Sequence, residues 1–324
     1  MLRPRLLTVL VLLAALVALS PAPVAAQQKT NLVFSSGPTG GSWIPMAGAV
    51  AEIVKKRFPE VELQVEPGAA LVNMEKIRND KADLGWSMTN VVHDARTGAG
   101  QWSGKQTDKP LYVATMYPNV WQLVVPADSP IKSLQDLKGK PVALPARGNT
   151  SLADGWENLL KVNGMKLDEL GPKSYGPVAA NAEAMKNRQA VAVGWFTTVP
   201  ASFMLDLGSA MKLRMIPVSD EEYAKLKKIN PGFIRHTIKA GTYAEQGVEG
   251  AVETFQSPTI LIASSKTPAD VVYKIAKAIV EGRADLANVT KAMKDVTPQD
   301  IGRDYGFPYH PGAAKYYKEA GILK

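Results

Sequence analysis

Short apolar runs alternate with helical patterns along nearly the whole chain after residue 26, and this alternation constrains the fold more than any other feature. The apolar runs predict strands at 31–34, 61–65, 84–87, 111–114, 120–125, 141–144, 191–196, 211–217 and 259–263. Helical patterns lie between them, at 46–58, 72–81, 151–160, 179–188 and 271–280. Strands that alternate with helices in this way favour an α/β fold with largely parallel sheets.

The first 26 residues have the pattern of a secretory signal peptide. Two arginines open the chain, and the apolar stretch 6–19 that follows is too short to span a bilayer comfortably. Small residues then precede a predicted cleavage site between Ala26 and Gln27. An uncleaved membrane anchor is the alternative interpretation. We therefore expect a periplasmic protein, exported by a cleavable signal peptide and free of a lipid anchor, because no cysteine is present.

Composition excludes several classes of protein. Removing residues 1–26, which contain two arginines and no acids, lowers the formal net charge from +8 to +6. The basic residues are spread out, so nucleic acid is not an expected partner. The absence of cysteine rules out disulfides, thiolate metal sites and a cysteine nucleophile. The three histidines show no metal-ligand spacing, and we expect neither a metal nor a cofactor. The remaining length favours two lobes over one.

A glycine-rich turn joins the first predicted strand to the first predicted helix. A helix that starts after such a turn presents free backbone N–H groups and partial positive charge, which suit a small anion. The candidate binding residues of this turn are Ser36, Gly37, Thr39, Gly40, Gly41, Ser42 and Trp43. The alternative is a plain connection in which Ser42 or Thr39 caps the helix. The spacing fits neither a P-loop nor a dinucleotide fingerprint.

Three further polar loops follow predicted strands. Ligands of open α/β sheets bind beyond the carboxyl ends of the strands, so these loops are candidate walls of one pocket. Their candidate residues are Trp86, Ser87 and Asn90, then Arg147, Gly148, Asn149 and Thr150, and finally Trp195 and Thr197. Core packing is the alternative for any single tryptophan.

Several motifs, in this order, resemble those of the TAXI-type solute receptors that serve TRAP transporters. Residues 39–45 (Thr-Gly-Gly-Ser-Trp-Ile-Pro) are similar to that family's Thr-Gly-Gly-Thr-Tyr-Tyr-Pro. Further similarities are at Gly68, Asn73, 81–85, Tyr273, 310–313 and 316–321. The resemblance covers nearly the whole chain after the predicted signal peptide.

This resemblance implies a two-lobed, type II-like periplasmic binding protein, with two mixed sheets flanked by helices and joined by crossing hinge strands. The first lobe would comprise 27–125 and 257–324, and the second 126–256. The implied function is capture of a small organic anion, a carboxylate or an amino acid, by closure of the lobes. A monomeric receptor would then deliver this solute to the integral membrane subunits of a TRAP permease. Alternatives are a receptor for an ATP-driven importer or a sensor kinase, and a secreted hydrolase of similar fold.

The chain departs from the family pattern at the expected solute site. Residues 147–150 read Arg-Gly-Asn-Thr instead of Gly-Ser-Gly-Thr, and Asn90 stands where an aspartate is common. The identity of the solute therefore cannot be transferred from a relative. We predict that Arg147 grips a solute carboxylate through paired hydrogen bonds. The alternative is an arginine that points into solvent.

Overall fold

The computed structural model describes residues 29–37, 42–147 and 150–323. The predicted signal peptide lies outside these residues. The same holds for part of the predicted site, namely Thr39, Gly40, Gly41, Gly148, Asn149 and the side chain of Thr150.

The first sheet has five strands in the order β2-β1-β3-β12-β4. Their bounds are β1 Thr30–Ser35, β2 Val61–Glu66, β3 Leu84–Met88, β4 Pro110–Thr115 and β12 Thr259–Ser264. Strand β1 is parallel to β2 and β3, whereas β12 runs antiparallel to β3 and β4. The sheet is therefore mixed, and a strand from late in the chain lies inside it.

Helices cover both faces of this sheet. The helices are α1 Trp43–Arg57, α2 Ala70–Arg78, α3 Thr89–Thr97, α8 Ala269–Glu281, α9 Arg283–Val289, α10 Pro298–Ile301 and α11 Pro311–Glu319. Buried residues of α1, α8 and α11 share one apolar cluster with one face of the sheet. Buried residues of α2 and α3 belong to the cluster on the other face. Each face thus removes apolar area from water, which is the main favourable term in folding.

The second sheet has the order β10-β11-β5-β8-β6-β7, and β9 pairs with β5. Its strands are β5 Val120–Pro126, β6 Val142–Pro145, β7 Lys173–Gly176, β8 Ala192–Thr197, β9 Leu213–Met215, β10 Ile234–Ile238 and β11 Val252–Gln256. Its helices are α4 Thr150–Val162, α5 Val178–Lys186, α6 Ser202–Ala210 and α7 Asp220–Ile229. Buried residues of α5 and α6 pack on one face, and those of α4 and α7 on the other.

The chain passes between the sheets twice, through residues 116–119 and 257–258, which we call the crossing segments. The expected architecture of two helix-flanked mixed sheets is confirmed. Our sequence-based boundary at residue 125 falls inside β5, which pairs with β8 and β9 of the second sheet. The apolar run 120–125 therefore belongs to the second sheet rather than to the first.

The C-terminal region wraps around the edge strand β4. The main chain of Tyr112 exchanges hydrogen bonds with Pro308 and His310, at 3.0 and 2.7 Å. The buried Tyr112 hydroxyl also donates to the carbonyl of Ile301 at 2.8 Å. The imidazole of His310 accepts a hydrogen bond from the Gly312 N–H at the start of α11, which confirms a structural role for this histidine. No helix among the described residues is long and apolar enough to cross a membrane.

Candidate functional site

The start of α1 is tied to the crossing segments. The Ser42 hydroxyl lies 3.1 Å from the Tyr117 hydroxyl, and the Trp43 indole N–H donates to Thr259 Oγ1 at 3.3 Å. The Asn119 amide donates to the same Thr259 oxygen at 2.5 Å. Ser42 occupies the N-cap position, as the capping alternative expected, but its side chain makes no capping hydrogen bond. The end of the glycine-rich turn is thus held next to the crossing segments.

The first residues of the turn are held by the end of β2 and by α2. The buried Ser36 hydroxyl donates to the carbonyl of Glu66 at 2.9 Å, and the Ser36 carbonyl accepts from the Asn73 amide at 2.7 Å. A Cβ added to Gly37 would lie 2.5 Å from Cβ of Trp43, so the close approach of Trp43 requires glycine here. In this structure the Ser36 hydroxyl is used to fix the turn.

Trp86 lies in the core of the first sheet and presents no face to a solute. Its side chain is fully buried, its ring packs edge-on to Phe34 at 4.8 Å, and its indole N–H donates to the carbonyl of Trp43 at 3.0 Å. Our expectation that this ring lines the pocket is therefore corrected, because every residue of β3 is buried. Ser87 is buried as well, and its hydroxyl has no hydrogen-bond partner among the described residues.

Asn90, in the first turn of α3, connects the two sheets. Its amide nitrogen donates to the carboxyl of Asp154, in the first half of α4, at 2.8 Å. Its amide oxygen accepts from the hydroxyl of Ser257, in a crossing segment, at 2.5 Å. Its carbonyl accepts from the amide of Asn230, just after α7, at 3.0 Å. Asn90 is completely buried, so each of these bonds replaces one lost to water.

A second contact of α3 with the other sheet is made by Thr89, the first residue of this helix. The Thr89 hydroxyl donates to the carbonyl of Gly232 at 2.6 Å. A Cβ at Gly232 would lie 2.5 Å from main-chain atoms of Thr89, so this contact also depends on glycine. The start of α3 is therefore packed against the segment that leads into β10.

Asp154 is a candidate site residue that sequence reasoning missed. Burial raises the pKa of its carboxyl from 3.8 to about 8, the negative charges of Asp94 and Glu157 raise this pKa further, and the hydrogen bond from Asn90 lowers it. At neutral pH the carboxyl is mostly protonated. The sequence offered one signal for this residue. Asp154 is a carboxyl among apolar residues, seven positions after Arg147, and it lies one turn into the helix that follows the loop of Arg147.

Arg147 lies at the end of β6, where its exposed guanidinium sits over the ring of Tyr175 at 4.1 Å. Among the described residues it forms no ion pair with a carboxylate. Trp195 is 9% exposed and packs in the core of the second sheet, so little of its ring is accessible. Thr197 is partly buried and pairs with Val120, next to a crossing segment.

Comparisons with known proteins give a family and a fold. Residues 34–321 match the NMT1-like family. The chain belongs to the NMT1-like family. Among solved structures, this NMT1-like protein is similar to the periplasmic sulfonate-binding protein SsuA from Methylobacillus flagellatus KT, with 16% identity and a TM-score of 0.51 over 91% of this chain and 88% of that one.

A second similar structure was solved in a study of glutathione import via GshT and the cystine ABC importer TcyBC of Streptococcus mutans. Its identity is 14% and its TM-score 0.51, over 84% of this chain and all of the other. At such identities the likeness concerns the fold alone. The NMT1-like protein therefore has the two-lobed fold of periplasmic binding proteins, and we call its two sheets with their helices the lobes.

The structure brings some of the predicted residues of the NMT1-like protein together. Asn90 meets the helix that follows the loop of Arg147, and Trp43 and Thr197 both lie beside the crossing segments. Trp86 lies in the core instead, where its indole N–H donates a hydrogen bond to the carbonyl of Trp43. The hydrogen bond between Asn90 and Asp154 adds an ionisable group that joins both lobes at this place.

Proposed function

We propose that this protein is a periplasmic solute-binding receptor, which captures a small organic anion between its lobes and delivers it to a membrane permease. The observation that carries the proposal is the bond between Asn90 and Asp154. It joins the helix after β3 of one lobe to the helix after β6 of the other, at the strand ends where open α/β sheets bind ligands.

The crossing segments supply the hinge that this function needs. Only residues 116–119 and 257–258 carry the chain between the lobes, so a few backbone torsions can absorb a rotation of one lobe relative to the other. A solute favours the closed arrangement only by contacts that it lacks in the open one. Residues on both lobes must therefore touch it, which is why the turn 36–43 and Asn90 at the start of α3 are proposed to act with 147–151 and 195–198.

Arg147 is the proposed anion-binding group. Stacking on Tyr175 uses the face of the guanidinium and leaves the N–H groups at its edge free to bind a carboxylate in a bidentate manner. The N-termini of α1 and α4 add partial positive charge near the same loops. A carboxylate or amino-acid solute fits this set of donors.

The proposed partner is a TRAP-type permease, and this proposal rests on the sequence motifs that resemble TAXI receptors. Binding proteins of ABC importers share the fold, so delivery to an ATP-driven importer, or signalling to a sensor kinase, is the second candidate. Reconstitution in vesicles separates them. Uptake that needs an ion gradient supports the TRAP partner, whereas uptake that needs ATP inside the vesicle supports the importer.

Solute screening tests the function directly. Thermal-shift measurements against a panel of carboxylates and amino acids should find a ligand that stabilises the fold by about 2.7 kcal/mol at 100 times its dissociation constant. Calorimetry should then give a one-to-one complex, and chromatography should recover the solute unchanged. Conversion of the solute into a product would favour a hydrolase instead.

Two variants at one position test the binding residue. We expect Arg147→Ala to weaken solute binding at least about tenfold, equivalent to about 1.4 kcal/mol, and Arg147→Lys to restore only part of it. The matched control is Arg57→Ala, at the far end of α1, where the arginine pairs with Glu281. Unchanged affinity in both Arg147 variants would remove this residue from the site.

A further inference from the structure

A cavity of about 460 Å³ lies between the lobes and is lined by residues of each lobe and of both crossing segments, and the strand order puts it on the side away from the predicted site. We call it the rear cavity. Its walls come from the end of β4, β10, both crossing segments, the loop after β8 and the region 291–305. None of the predicted site residues that the structure describes lines it. Its volume is within the range of small-molecule pockets.

The strand order explains why the two sites lie on opposite sides. In the first sheet, β4 is the edge strand, and β1 and β3, which carry the predicted site, lie beyond β12. In the second sheet, β10 is the edge strand, and β6 and β8 lie beyond β5. The crossing segments connect β4 to β5 and β11 to β12, so they run between the rear cavity and the predicted site.

The chemistry of the walls selects a class of ligand. Met116, Val199 and Val296 give the cavity an apolar lining. Lys239 from one lobe and Lys291 from the other reach it, and neither forms an ion pair within the described part of the chain. These walls suit an anion with an apolar body that spans the two lobes.

Two more polar groups face the cavity. The side-chain oxygen of Gln256 is buried and accepts no hydrogen bond from any described residue, so it offers an acceptor to a ligand N–H or O–H group. His236 is half-buried on β10, and burial lowers its pKa, so the ring is neutral at pH 7 and adds no charge. Arg303 and Asp300 form an ion pair at 2.8 Å, so their charges cancel. Among the described lining residues, Asp295 is then the one negative charge that disfavours an anion.

We propose that the rear cavity is a second binding site, for a small organic anion with an apolar body and a hydrogen-bond donor, and that its occupant holds the predicted site closed. Rotation about the crossing segments that separates Asn90 from Asp154 brings the rear walls together. A ligand that fills the rear cavity opposes that rotation. By linkage, the solute and the rear ligand must then raise each other's affinity by the same factor.

The dye 8-anilinonaphthalene-1-sulfonate is a suitable probe, because it has a sulfonate, an aromatic body and one N–H donor. We expect saturable one-to-one binding by fluorescence titration of the whole protein. His236→Trp fills part of the cavity from an edge strand that tolerates aromatic residues, and it should weaken this binding at least about tenfold. Equal dye affinity in the wild type and in this variant would overturn the proposal.

A pair of neutralised lysines tests the anion site without adding bulk. The double variant Lys239→Gln with Lys291→Gln should weaken dye binding several-fold and flatten its salt dependence. The control is Lys161→Gln with Lys318→Gln, which removes one exposed lysine from each lobe away from the cavity. Equal losses in both double variants would show a general charge effect and refute the site.

Closure is read out separately. The chain has no cysteine, so Gln64→Cys on β2 and Ser174→Cys on β7 give two exposed label sites, one on each lobe, at the edges far from the rear cavity. Saturating dye should shift the distribution of label distances toward the closed form. No shift, or a shift toward longer distances, would overturn the coupling. Dye binding is measured without solute, so the two proposals are tested independently. The dye can fail to bind although the solute is captured, and the dye can bind although no solute is captured.

Discussion

The carboxyl of Asp154 makes the stability of the closed protein depend on pH in a direction opposite to that of an ordinary paired aspartate. Its pKa is raised from 3.8 to about 8, first by burial and then by the charges of Asp94 and Glu157. Between these two pH values the folded chain holds a proton that the unfolded chain has released. The free energy of unfolding therefore falls as pH rises through this window.

The size of the effect follows from the two pKa values. One pKa unit corresponds to 1.36 kcal/mol, and the folded state itself begins to ionise as pH approaches 8. Between pH 6 and pH 8, Asp154 alone should therefore cost about 2 kcal/mol of stability. If the lobes open, the Asp154 carboxyl returns to water without unfolding of the chain. The loss of stability is therefore limited to the free energy that opening of the lobes costs.

Asp154→Asn isolates this contribution. The asparagine oxygen can still accept the hydrogen bond from Asn90, but the side chain cannot ionise. Urea unfolding at pH 6 and pH 8 should show that the wild type loses about 2 kcal/mol more than the variant between these pH values. Histidines and other groups that titrate in this range contribute equally to both proteins and cancel in the comparison.

Asp108→Asn provides the matched control, since Asp108 is almost fully exposed and pairs with Arg96. This control should keep the pH dependence of the wild type. The reasoning would be refuted if Asp154→Asn and the wild type lost the same stability between pH 6 and 8. Direct titration of the Asp154 carboxyl carbon by NMR, giving a pKa near 4, would refute it as well.

Three further substitutions test the packing described above by urea unfolding. Trp86→Ala should lower the free energy of unfolding by about 3–5 kcal/mol, and a cost below about 1 kcal/mol would contradict its core position. Ser257→Ala removes the hydroxyl that donates to Asn90, so a loss of about 1–3 kcal/mol is expected, and an unchanged stability would show that this bond is not formed. Gly155→Ala should lower the free energy of unfolding by about 1–3 kcal/mol, because the added Cβ would collide with the ring of Trp121. Alanine favours helix over glycine, so a stabilised protein would contradict this close packing.

Much of the fold was predictable from the sequence because its central strands are buried on both sides, whereas the partly exposed β7 and β10 were not predicted. Strand β12 is buried along its whole length, and the apolar run at 259–263 predicts it. Strand β3 is also buried throughout and is predicted by the apolar run at 84–87. The sequence of residues 267–270 (Thr-Pro-Ala-Asp) predicts a capping box before α8, with proline at the first helical position. That prediction is wrong, because Pro268 occupies the N-cap and the Thr267 hydroxyl donates to the carbonyl of Asp83.

The candidate site was less predictable, since an apolar run does not say which polar neighbour faces a cleft. Trp86 is flanked by a serine, which suggested an exposed edge, but pairing of β3 with β1 and β12 buries both residues. Asp154 was missed for the converse reason. Its sequence context is that of an ordinary helix, and its proximity to Asn90 arises only when the two lobes come together.

The place of β12 affects how the protein can be made. This strand is the last to be synthesised, yet it lies between β3 and β4 and pairs with both of them. Until it arrives, β4 has no partner on its inner side, and the first lobe cannot complete its sheet. Strands β5 to β11 precede it and are continuous in the chain, so the second lobe can form its sheet first. We therefore expect the chain to fold from its middle outward, and its N-terminal strands to complete their sheet only when β12 has become available.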